Sequence, residues 1–317
     1  MDQTFDIYVA SCTKTGGIYR YRVSGKKVTL IDSVKLDRPM YLARHKDKMY
    51  ALLREAYENG DSGVITYDIA DDGSLADPRE LGSTQGKCGC HLTVNDDGVY
   101  AVNYLSGSVV KVSEKLVVHS GRGPHPIRQD GPHTHFVCSS PDNKYILVTD
   151  LGLDRIFVYD KNLNDVSYAD VPAGHGARHL IFSDDGKILY CANELESTVS
   201  VFSYNNGVLE LKNTVRALPE DYDGENTAAA IRFKDGMLYV SNRGHDSISC
   251  FAINGFDLKL KSIVPCGGKH PRDFNIFGDL LVCTNMHSND VTFFRITGTT
   301  LEKLDFKLYV DEPLCVI

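Results

Sequence analysis

The chain repeats one pattern seven times: an apolar run, an Asn or Asp, a short polar loop and a second apolar run. In five copies the second run ends nine residues after the Asn or Asp, and these copies are residues 100–112, 146–159, 189–202, 238–251 and 281–294. Two looser copies end at Tyr21 and Tyr67. The seven end points, at 21, 67, 112, 159, 202, 251 and 294, are 43–49 residues apart. This period is typical of propeller blades and other repeat folds.

The turns between the runs predict four short strands in each repeat. Asp-Gly or Asn-Gly occurs at 72–73, 97–98, 185–186, 206–207 and 235–236, and such pairs favour tight hairpins because these turns need positive φ. Runs such as RIFVY (155–159) are apolar on both faces, which is typical of strands buried between neighbouring layers. The sequence therefore predicts an all-β fold, a single seven-bladed β-propeller domain over 1–317. A β-sandwich, the alternative all-β fold, would not give this period.

The two ends of the chain are expected to meet in one blade. If the strands of a blade are called A to D from the axis outward, the first run, IYVAS (7–11), corresponds to a B strand. Blade 1 then lacks its own A strand. The last residues, PLCVI (313–317), resemble PMYLA (39–43), an A strand after a proline. We therefore predict that residues 313–317 supply strand A of blade 1 and close the ring.

Composition narrows the classes of partner. The net charge of −8 argues against nucleic-acid binding, which needs a basic surface. No apolar run approaches the ~20 residues of a membrane span, and the acidic start, MDQTFDIYVAS, reads as a strand, so we expect no signal peptide. Nine scattered cysteines indicate reduced thiols and a cytoplasmic protein. We expect a monomer or a weak homo-oligomer.

Basic residues gather where strands begin. Because strands alternate in direction within a blade, the D–A and B–C loops open on one face of the propeller. Those loops hold eight of the eleven histidines and three arginines, which would attract a small anion. The residues are His91, His133, His135, His175, His179, His245, His270, His287, Arg178, Arg243 and Arg272. The alternative is that such loops are polar only because they face water.

Two other patterns have structural explanations. The residues that close the B strands (Asn103, Asp150, Asn193, Asn242 and Asn285) are explained as formers of Asx-type turns. Cys88, Cys90 and His91 lie near His133 and His135 and offer zinc ligands. Their spacing matches no standard zinc motif, however, and strand alternation would point Cys90 and His91 to opposite faces. We expect neither a metal nor a cofactor.

Several segments resemble one family. GPHTHFVCSSPDNKYILVTDLGLDRIFVYD, GARHLIFSDDGKILYCANELESTVSVF and LYVSNRGHDSISCF resemble the lactonase family of seven-bladed propellers, which includes bacterial 6-phosphogluconolactonases and fungal carboxy-cis,cis-muconate cyclases. The resemblance covers nearly the whole chain. It implies a metal-independent site made of His135 with His133 beside it, Arg178, Glu194 and Arg243. Two positions depart from the family pattern: Thr134 replaces the proline of His-Pro-His, and Ala230 stands where members often carry a glutamate.

The residues suit hydrolysis of a lactone. The reaction needs a water, a base and donors for the oxyanion. No G-x-S-x-G motif is present, which favours direct attack by water. His135 or Glu194 serves as base and Arg178 and Arg243 hold the anion and oxyanion, whereas His133, His179 and Arg272 are predicted to bind substrate. The alternative role of Glu194 is a plain ion pair with Arg178 or Arg243.

We therefore predict a lactonase acting on a small anionic lactone, with 6-phosphogluconolactone of the pentose phosphate pathway as the expected substrate. Two alternatives remain open: a cyclase or lactonase for another carboxylated substrate, and a non-enzymatic propeller that binds a ligand or protein. Intact Arg178, Glu194 and Arg243 favour an enzyme, whereas Ala230 slightly favours the non-enzymatic alternative.

Overall fold

The computed structural model describes residues 4–317. Residues 1–3 lie outside the described residues. They begin the stretch MDQTFDIYVAS, which is predicted to contain the first strand. Twenty-eight strands form seven four-stranded antiparallel sheets. The helical content of the described chain is one 3-10 turn, Met286–Ser288. Within residues 4–317, no helix has the length and apolar character needed to cross a bilayer.

The sheets are the seven blades of a propeller, and their strands run from the axis outward in the order given. Blade 1 consists of β28 (Pro313–Val316), β1 (Thr4–Ser11), β2 (Gly17–Ser24) and β3 (Lys27–Lys35). Blade 2 consists of β4 (Pro39–His45), β5 (Lys48–Leu53), β6 (Asp61–Ile69) and β7 (Leu75–Lys87). Blade 3 consists of β8 (Gly89–Asn95), β9 (Gly98–Asn103), β10 (Ser108–Lys111) and β11 (Lys115–Val118).

The remaining four blades follow the same order along the chain. Blade 4 consists of β12 (Thr134–Ser139), β13 (Tyr145–Asp150), β14 (Arg155–Asp160) and β15 (Asp165–Asp170). Blade 5 consists of β16 (Ala177–Phe182), β17 (Ile188–Asn193), β18 (Thr198–Asn205) and β19 (Val208–Arg216). Blade 6 consists of β20 (Thr227–Lys234), β21 (Met237–Arg243), β22 (Ser247–Asn254) and β23 (Asp257–Pro265). Blade 7 consists of β24 (Pro271–Phe277), β25 (Leu280–Asn285), β26 (Asp290–Thr297) and β27 (Thr300–Tyr309).

The end points of the sequence repeat are the side chains that pack one blade against the next. All seven are buried: Tyr21, Tyr67, Val112, Tyr159, Phe202, Phe251 and Phe294. Phe202 of blade 5 packs in one cluster with Leu147 and Val158 of blade 4. Burying such a side chain contributes about 1.5–3 kcal/mol. The period of the sequence is therefore the period of the interfaces between blades, and the prediction of a seven-bladed propeller is confirmed.

The ring is closed as predicted. Each innermost strand contacts the next, from β4 through β24 to β28 and back to β4. Strand β28 pairs with β1, placing Val316 opposite Val9 and Cys315 opposite Ala10. The pairing continues beyond the strand, where Tyr8 and Ile317 exchange two backbone hydrogen bonds of 2.8 and 3.0 Å. The C-terminal residues therefore complete blade 1.

Every innermost strand carries a β-bulge near its entrance. Across this bulge strand A has one residue more than strand B. The extra residue breaks the alternation of side chains along strand A and changes the direction in which they point. The bulged residues of six blades are Leu314, Met40, Cys90, His135, Arg178 and Arg272. Blade 6 has a wider bulge that contains Ala229 and Ala230. Three of the predicted site residues therefore occupy one equivalent position in three different blades.

The asparagines that close the B strands have a structural role, but not the predicted one. An Asx-type turn uses a bond to the backbone two residues further on. The side-chain amides of Asn103, Asn193 and Asn242 donate instead to a hydroxyl five residues on, at 2.9–3.3 Å, and Asn285 donates to Asp290 in the same way. These bonds span the B–C loop and fix its shape on the functional face.

Removal of residues 312–317 is expected to destabilise the whole ring. The deletion exposes the edge of β1 and removes Leu314, Cys315 and Val316, which are at most 3% exposed. Burial of each large apolar side chain contributes about 1.5–3 kcal/mol. The deletion therefore removes a large part of the free energy of unfolding, which is typically about 5–15 kcal/mol. Thermal unfolding measures it, with Glu312→Ala, a change at an exposed residue, as the control. A truncated protein melting within about 2 °C of the parent would contradict this role of β28.

Candidate functional site

A cavity of about 320 Å³ opens on the face formed by the D–A and B–C loops. Blades 2 to 7 contribute to its wall. Four predicted site residues line it: His135, Glu194, Arg243 and Arg272. A second cavity, of about 10 Å³, lies beside it and shares His135 and Arg272 with the larger one; Arg178 and His179 line this smaller cavity. The structure therefore brings six of the seven predicted site residues together.

One buried carboxylate organises the arginines of the larger cavity. Glu194 Oε2 accepts a hydrogen bond from Arg178 Nε at 2.7 Å and forms an ion pair with Arg243 Nη2 at 2.8 Å. Its other oxygen, Oε1, accepts from Arg128. The side chains of Glu194, Arg178 and Arg243 are at most 6% exposed. Such charge-assisted bonds are strong and directional, so Glu194 fixes the positions of three guanidinium groups.

The charges in this cluster shift the titration of its members. Burial alone would raise the pKa of the Glu194 carboxyl, but Arg243, Arg178 and Arg128 outweigh burial and hold that pKa well below its usual range. Burial and the neighbouring charge of Arg243 lower the pKa of Arg178 to about 9. Both groups therefore remain charged at neutral pH. A carboxylate with so low a pKa is a weak base, which favours the ion-pair role of Glu194.

Local backbone geometry explains why the loop GHGARH ends at this cluster. Gly174 and Gly176 have φ of +84° and +72°, a region that residues with a side chain adopt only with strain. Their N–H groups each donate to a carboxylate oxygen of Asp154 at 2.6 Å. The carbonyl of Gly176 accepts from the Glu194 N–H at 2.7 Å. The two glycines thus tie the loop before Arg178 to the loop that carries Glu194.

Two residues of the cavity wall, Arg128 and Tyr104, were not predicted from the sequence. Arg128 lies in the D–A loop 119–133, outside the repeated pattern, and its guanidinium contacts both Glu194 and the Tyr104 hydroxyl, the latter at 3.4 Å. The buried amide of Gln129 anchors this loop by donating to the carbonyl of Leu151 at 2.8 Å. The available signal was the position of Arg128 in a D–A loop that leads directly into GPHTHF. Two further arginines, Arg54 and Arg272, complete the wall of the cavity.

Three buried imidazoles form a column at the axis. The ring centroids of His135 and His179 are 5.4 Å apart, and those of His179 and His91 are 5.7 Å apart. His91 also packs against Tyr41 and Phe136 at 4.1 and 3.9 Å. Burial, with the positive charge of nearby arginines, lowers the pKa of all three imidazoles well below the usual range. They are therefore neutral at pH 7, and each has a ring nitrogen with a lone pair that is able to accept a hydrogen bond.

The prediction that His133 binds substrate gains no support from its position. Its ring stacks on Tyr104 at 4.5 Å, its Nδ1 donates to the Tyr104 carbonyl at 3.1 Å, and its Nε2 lies 3.1 Å from Asp130. It lies behind the cavity wall and supports Tyr104, which reaches the cavity. The physical reason is the bulge, since His135 occupies the bulged position two residues further on.

The other histidines of this face also have local partners. His175 bonds to Thr198 and His245 to Ser247, each at 2.8 Å. His287 stacks on His270, with ring centroids 3.9 Å apart, and of these two only His270 lines the cavity. The loop 119–133 adds His119 and His125 to this face, which the predicted set did not include. The histidines are therefore mostly part of the loop framework, and the positive charge of the cavity comes from arginine.

Ala230 does not face the cavity. It lies in the bulge of β20, its N–H donates to Ser241 Oγ at 3.0 Å, and its side chain packs with Tyr239 and Phe274 between blades 6 and 7. The position at which the family often carries a glutamate is thus an apolar contact in this chain. Any carboxylate that serves the reaction must come from another strand.

The cysteines beside His91 are used differently from the zinc alternative. The thiol of Cys90, at the bulge of β8, lies 3.4 Å from the Thr134 carbonyl and 3.3 Å from that of His135. The bulge also breaks the strict alternation expected for Cys90 and His91. Among residues 4–317, no three His, Cys, Asp or Glu side chains are grouped in a geometry for a metal ion.

A larger cavity lies on the opposite face of the propeller. It encloses about 470 Å³, and its wall includes Phe5, Tyr8, Phe277, Arg44 and Asp6. Phe5 and Phe277 stack there at 5.3 Å. This wall offers one arginine and one carboxylate, whereas the 320 Å³ cavity combines four arginines, an unpaired imidazole and a buried carboxylate. Chemistry rather than volume therefore places the candidate site at the smaller cavity.

The neutral state of the buried imidazoles predicts how stability depends on pH. Their pKa is lower in the folded than in the unfolded chain, so the unfolded chain takes up protons first as pH falls below about 6.5. Each imidazole then costs about 1.4 kcal/mol per pH unit. We expect His91→Phe to make the loss of unfolding free energy between pH 6.5 and 5 shallower by up to this amount. Denaturant unfolding at several pH values measures the slope.

Phe136→Leu is the control, because it weakens the packing around His91 without removing a titrating group. It should lower the unfolding free energy equally at every pH. An unchanged slope in His91→Phe would mean that the pKa of this imidazole is the same in the folded and the unfolded chain.

Known proteins resemble this chain over its whole length. The family profile "Lactonase, 7-bladed beta-propeller" matches residues 6–317. An uncharacterised Staphylococcus aureus protein is 34% identical, with 98% of both chains covered. A Lactobacillus plantarum crystal structure has 29% identity, a TM-score of 0.90 and 99% of both chains covered. A Bacteroides fragilis structure, provisionally described as a 6-phosphogluconolactonase, has 26% identity, a TM-score of 0.89 and coverage of 100% of this chain and 98% of its own. The chain belongs to the lactonase family of seven-bladed β-propellers.

Proposed function

We propose that this protein hydrolyses a small anionic sugar lactone, with 6-phosphogluconolactone as the leading substrate. One observation carries the proposal: the cavity holds more positive charge than its own carboxylate neutralises. Arg128, Arg178 and Arg243 share Glu194, while Arg54 and Arg272 form no ion pair within residues 4–317. In a chain with a net charge of −8, this local excess favours an anionic ligand.

The arginines divide into two groups with different roles. Arg54 and Arg272 are partly exposed and unpaired in the described chain, which suits them to bind a phosphate in bidentate fashion. Arg178 and Arg243 are buried and held by Glu194. Their charge lies where water is excluded, so it stabilises an oxyanion more effectively than it would in solution.

His135 is the proposed group that faces the reacting water from the larger cavity. It is 5% exposed, and burial and Arg178 lower its pKa, so that it is neutral and has a lone pair to accept a hydrogen bond. Glu194 is the weaker candidate for a base because three guanidinium groups occupy its oxygens. Its proposed role is to hold the arginines together.

The relatives support the substrate class. The Bacteroides fragilis protein, and a Bacteroides uniformis structure of 27% identity and TM-score 0.89, are both provisionally described as 6-phosphogluconolactonases. We propose a place in the pentose phosphate pathway on this basis. The nine cysteines are all free thiols, which supports a reducing, cytoplasmic setting. We propose that the protein acts as a monomer or a weak homo-oligomer on small molecules alone.

Arg272→Ala should discriminate between lactones with and without phosphate. Loss of a charge-assisted hydrogen bond corresponds to about 1.5–3 kcal/mol, so KM for 6-phosphogluconolactone should rise about 10- to 100-fold. KM for the phosphate-free gluconolactone should change far less. Initial rates on fresh lactone, corrected for spontaneous opening, measure both. Arg155→Ala is the matched control, since Arg155 pairs with Asp170 at the surface of blade 4.

The same assay can overturn the proposal. Turnover of a carboxylated muconolactone in place of both sugar lactones would indicate the cyclase alternative. A purified, folded protein without activity on any of these lactones would indicate a non-enzymatic propeller.

His135→Gln and Glu194→Gln are expected to fail in different ways. Loss of a group that contacts the reacting water lowers kcat about 10²- to 10⁴-fold with KM little changed, which is the result expected for His135→Gln. Loss of Glu194 leaves buried arginines without a counter-charge and should cost about 3 kcal/mol or more of unfolding free energy, with a raised KM. Steady-state kinetics and denaturant unfolding separate the two. A Glu194→Gln protein with normal stability and KM but very low kcat would make Glu194 the base.

A further inference from the structure

A second, much smaller cavity lies at the inner end of the site. It encloses about 10 Å³, which is close to the space that one water molecule occupies. Its wall includes His135, Arg178, His179 and Asp273. It shares Met40, Cys90, His135 and Arg272 with the 320 Å³ cavity, so a molecule in it would lie next to a bound substrate.

Four residues of the wall of this small cavity each carry a polar atom that has no hydrogen-bond partner among residues 4–317. The four side chains belong to residues that are at most 5% exposed, so unsatisfied groups there would be costly. The atoms are His135 Nδ1, Arg178 Nη1, His179 Nδ1 and Asp273 Oδ2. A group of this kind around so small a space indicates a specific polar occupant.

The chemistry of the four atoms selects water. A guanidinium N–H only donates, an ionised carboxylate oxygen only accepts, and a neutral imidazole nitrogen does either according to its tautomer. Water donates two hydrogen bonds and accepts two, and buried waters typically make about three. A chloride ion would accept from Arg178 but would be repelled by the Asp273 carboxylate. The donor and acceptor set is therefore complementary to one water molecule.

Asp273 is held with one oxygen free. Its Oδ1 accepts from Arg232 Nη2 at 2.8 Å, and Arg232 is itself fixed by donating from Nη1 to the carbonyl of Ile231 at 2.9 Å. Asp273 follows the bulged residue of β24 directly, so it lies one level further along the axis than Arg272. This arrangement fixes the carboxylate of a residue that lines the small cavity and leaves its Oδ2 without a partner in the described chain.

We propose that this cavity holds the water that attacks the lactone, and that Asp273 is the carboxylate that takes its proton. Arg178 and one imidazole donate to the water oxygen, while Asp273 and the other imidazole accept its hydrogens. This proposal rests on the proposed lactone hydrolysis and adds Asp273 to its catalytic residues. His179 is a positioning residue that orients the water together with His135.

The reaction step balances with these groups alone. As the water oxygen bonds to the carbonyl carbon, its O–H bond breaks and the proton passes to Asp273 Oδ2. The carbonyl oxygen becomes an oxyanion beside the arginines. Collapse of the tetrahedral intermediate restores the C=O bond and breaks the bond between that carbon and the ring oxygen. The ring oxygen takes up the proton that Asp273 has held, and the product is the open hydroxy acid.

The two carboxylates of the site have opposite electrostatic surroundings. Glu194 receives three arginines, whereas Asp273 receives one. Burial raises the pKa of Asp273 above its ordinary value despite the opposing charge of Arg232, while the arginines hold that of Glu194 low. A carboxylate with a raised pKa is the better proton acceptor. This contrast supports Asp273 for the base role and Glu194 for the structural one.

Asp273→Asn tests the proposal in the full-length protein. We expect kcat on 6-phosphogluconolactone to fall about 10²-fold or more, with KM and the thermal stabilisation by inorganic phosphate unchanged. Because Arg232 would lose its partner, the double variant Asp273→Asn/Arg232→Gln provides a second test in which a neutral pair replaces the buried ion pair. Asp290→Asn is the matched control: Asp290 is a buried acid of the same blade that pairs with Lys307, and this change should lower stability without lowering kcat.

A high-resolution crystal structure of the parent protein is the second measurement, and it does not depend on activity. The proposal expects one ordered water within about 3.2 Å of Asp273 Oδ2 and of at least one imidazole. An active parent with a folded Asp273→Asn variant of full kcat would overturn the role of Asp273 while leaving lactone hydrolysis intact. A dry cavity, or an ion in it, would overturn the water site. A parent inactive on every lactone would overturn the proposed function and the base role together, and the crystal structure would still decide whether the water site exists.

Discussion

The geometry of the molecule depends on the convergence of seven innermost strands on one axis. Side chains from these strands share a narrow space, and the bulge in each strand decides which side chain reaches it. In blades 4, 5 and 7 the bulged residues are His135, Arg178 and Arg272, whereas in blades 1, 2 and 3 they are Leu314, Met40 and Cys90. A ring with seven similar blades thus acquires one polar and one less polar side. Chemistry-bearing residues that are more than forty residues apart in sequence meet there without any local motif.

Electrostatics sets the second constraint. Arginines brought so close together repel one another, and burial adds a desolvation cost for each charge. Glu194 offsets both effects by bonding to three of them at once. The single carboxylate cannot neutralise all the positive charge of the cavity, and the surplus is what remains available to a ligand. Arg178 is an example of these opposing effects. Burial and the charge of Arg243 lower its pKa to about 9 although its guanidinium contacts Glu194.

Sequence alone predicted the parts of the molecule that follow from local pattern. The spacing of apolar runs gave the seven blades and the closure of the ring, because the end points of the repeat are the residues buried between blades. Arg178 was found because it lies at the entrance to an apolar run of the repeat, and Glu194 was found through the resemblance to the family. Their functional roles stay predictions.

Other parts could not be predicted because they depend on contacts between distant segments. The position of Arg128 is set by a non-repeated loop that Gln129 anchors to the carbonyl of Leu151. Strict alternation of side chains along a strand does not predict the bulges. It therefore does not predict that Asp273 lies in the wall of the small cavity. The contacts of His133 with the ring and the carbonyl of Tyr104 could not be predicted either, and its role in binding a ligand stays a prediction. Each difference arises where tertiary structure re-aims a side chain that the sequence pattern leaves free.

The pairing of β28 with β1 has a consequence for biosynthesis. Ser11 bonds to the carbonyl of Asp311 across 300 residues of chain, so β1 is synthesised long before the strand that pairs with its inner edge. Until then β1 presents an unpaired inner edge, the kind of edge that invites pairing with other chains. Blades 2 to 7 each contain four strands that are consecutive in sequence and have their partners as soon as they emerge. Blades 2 to 7 are therefore completed in order during synthesis, and blade 1 is completed only after β28 has been made.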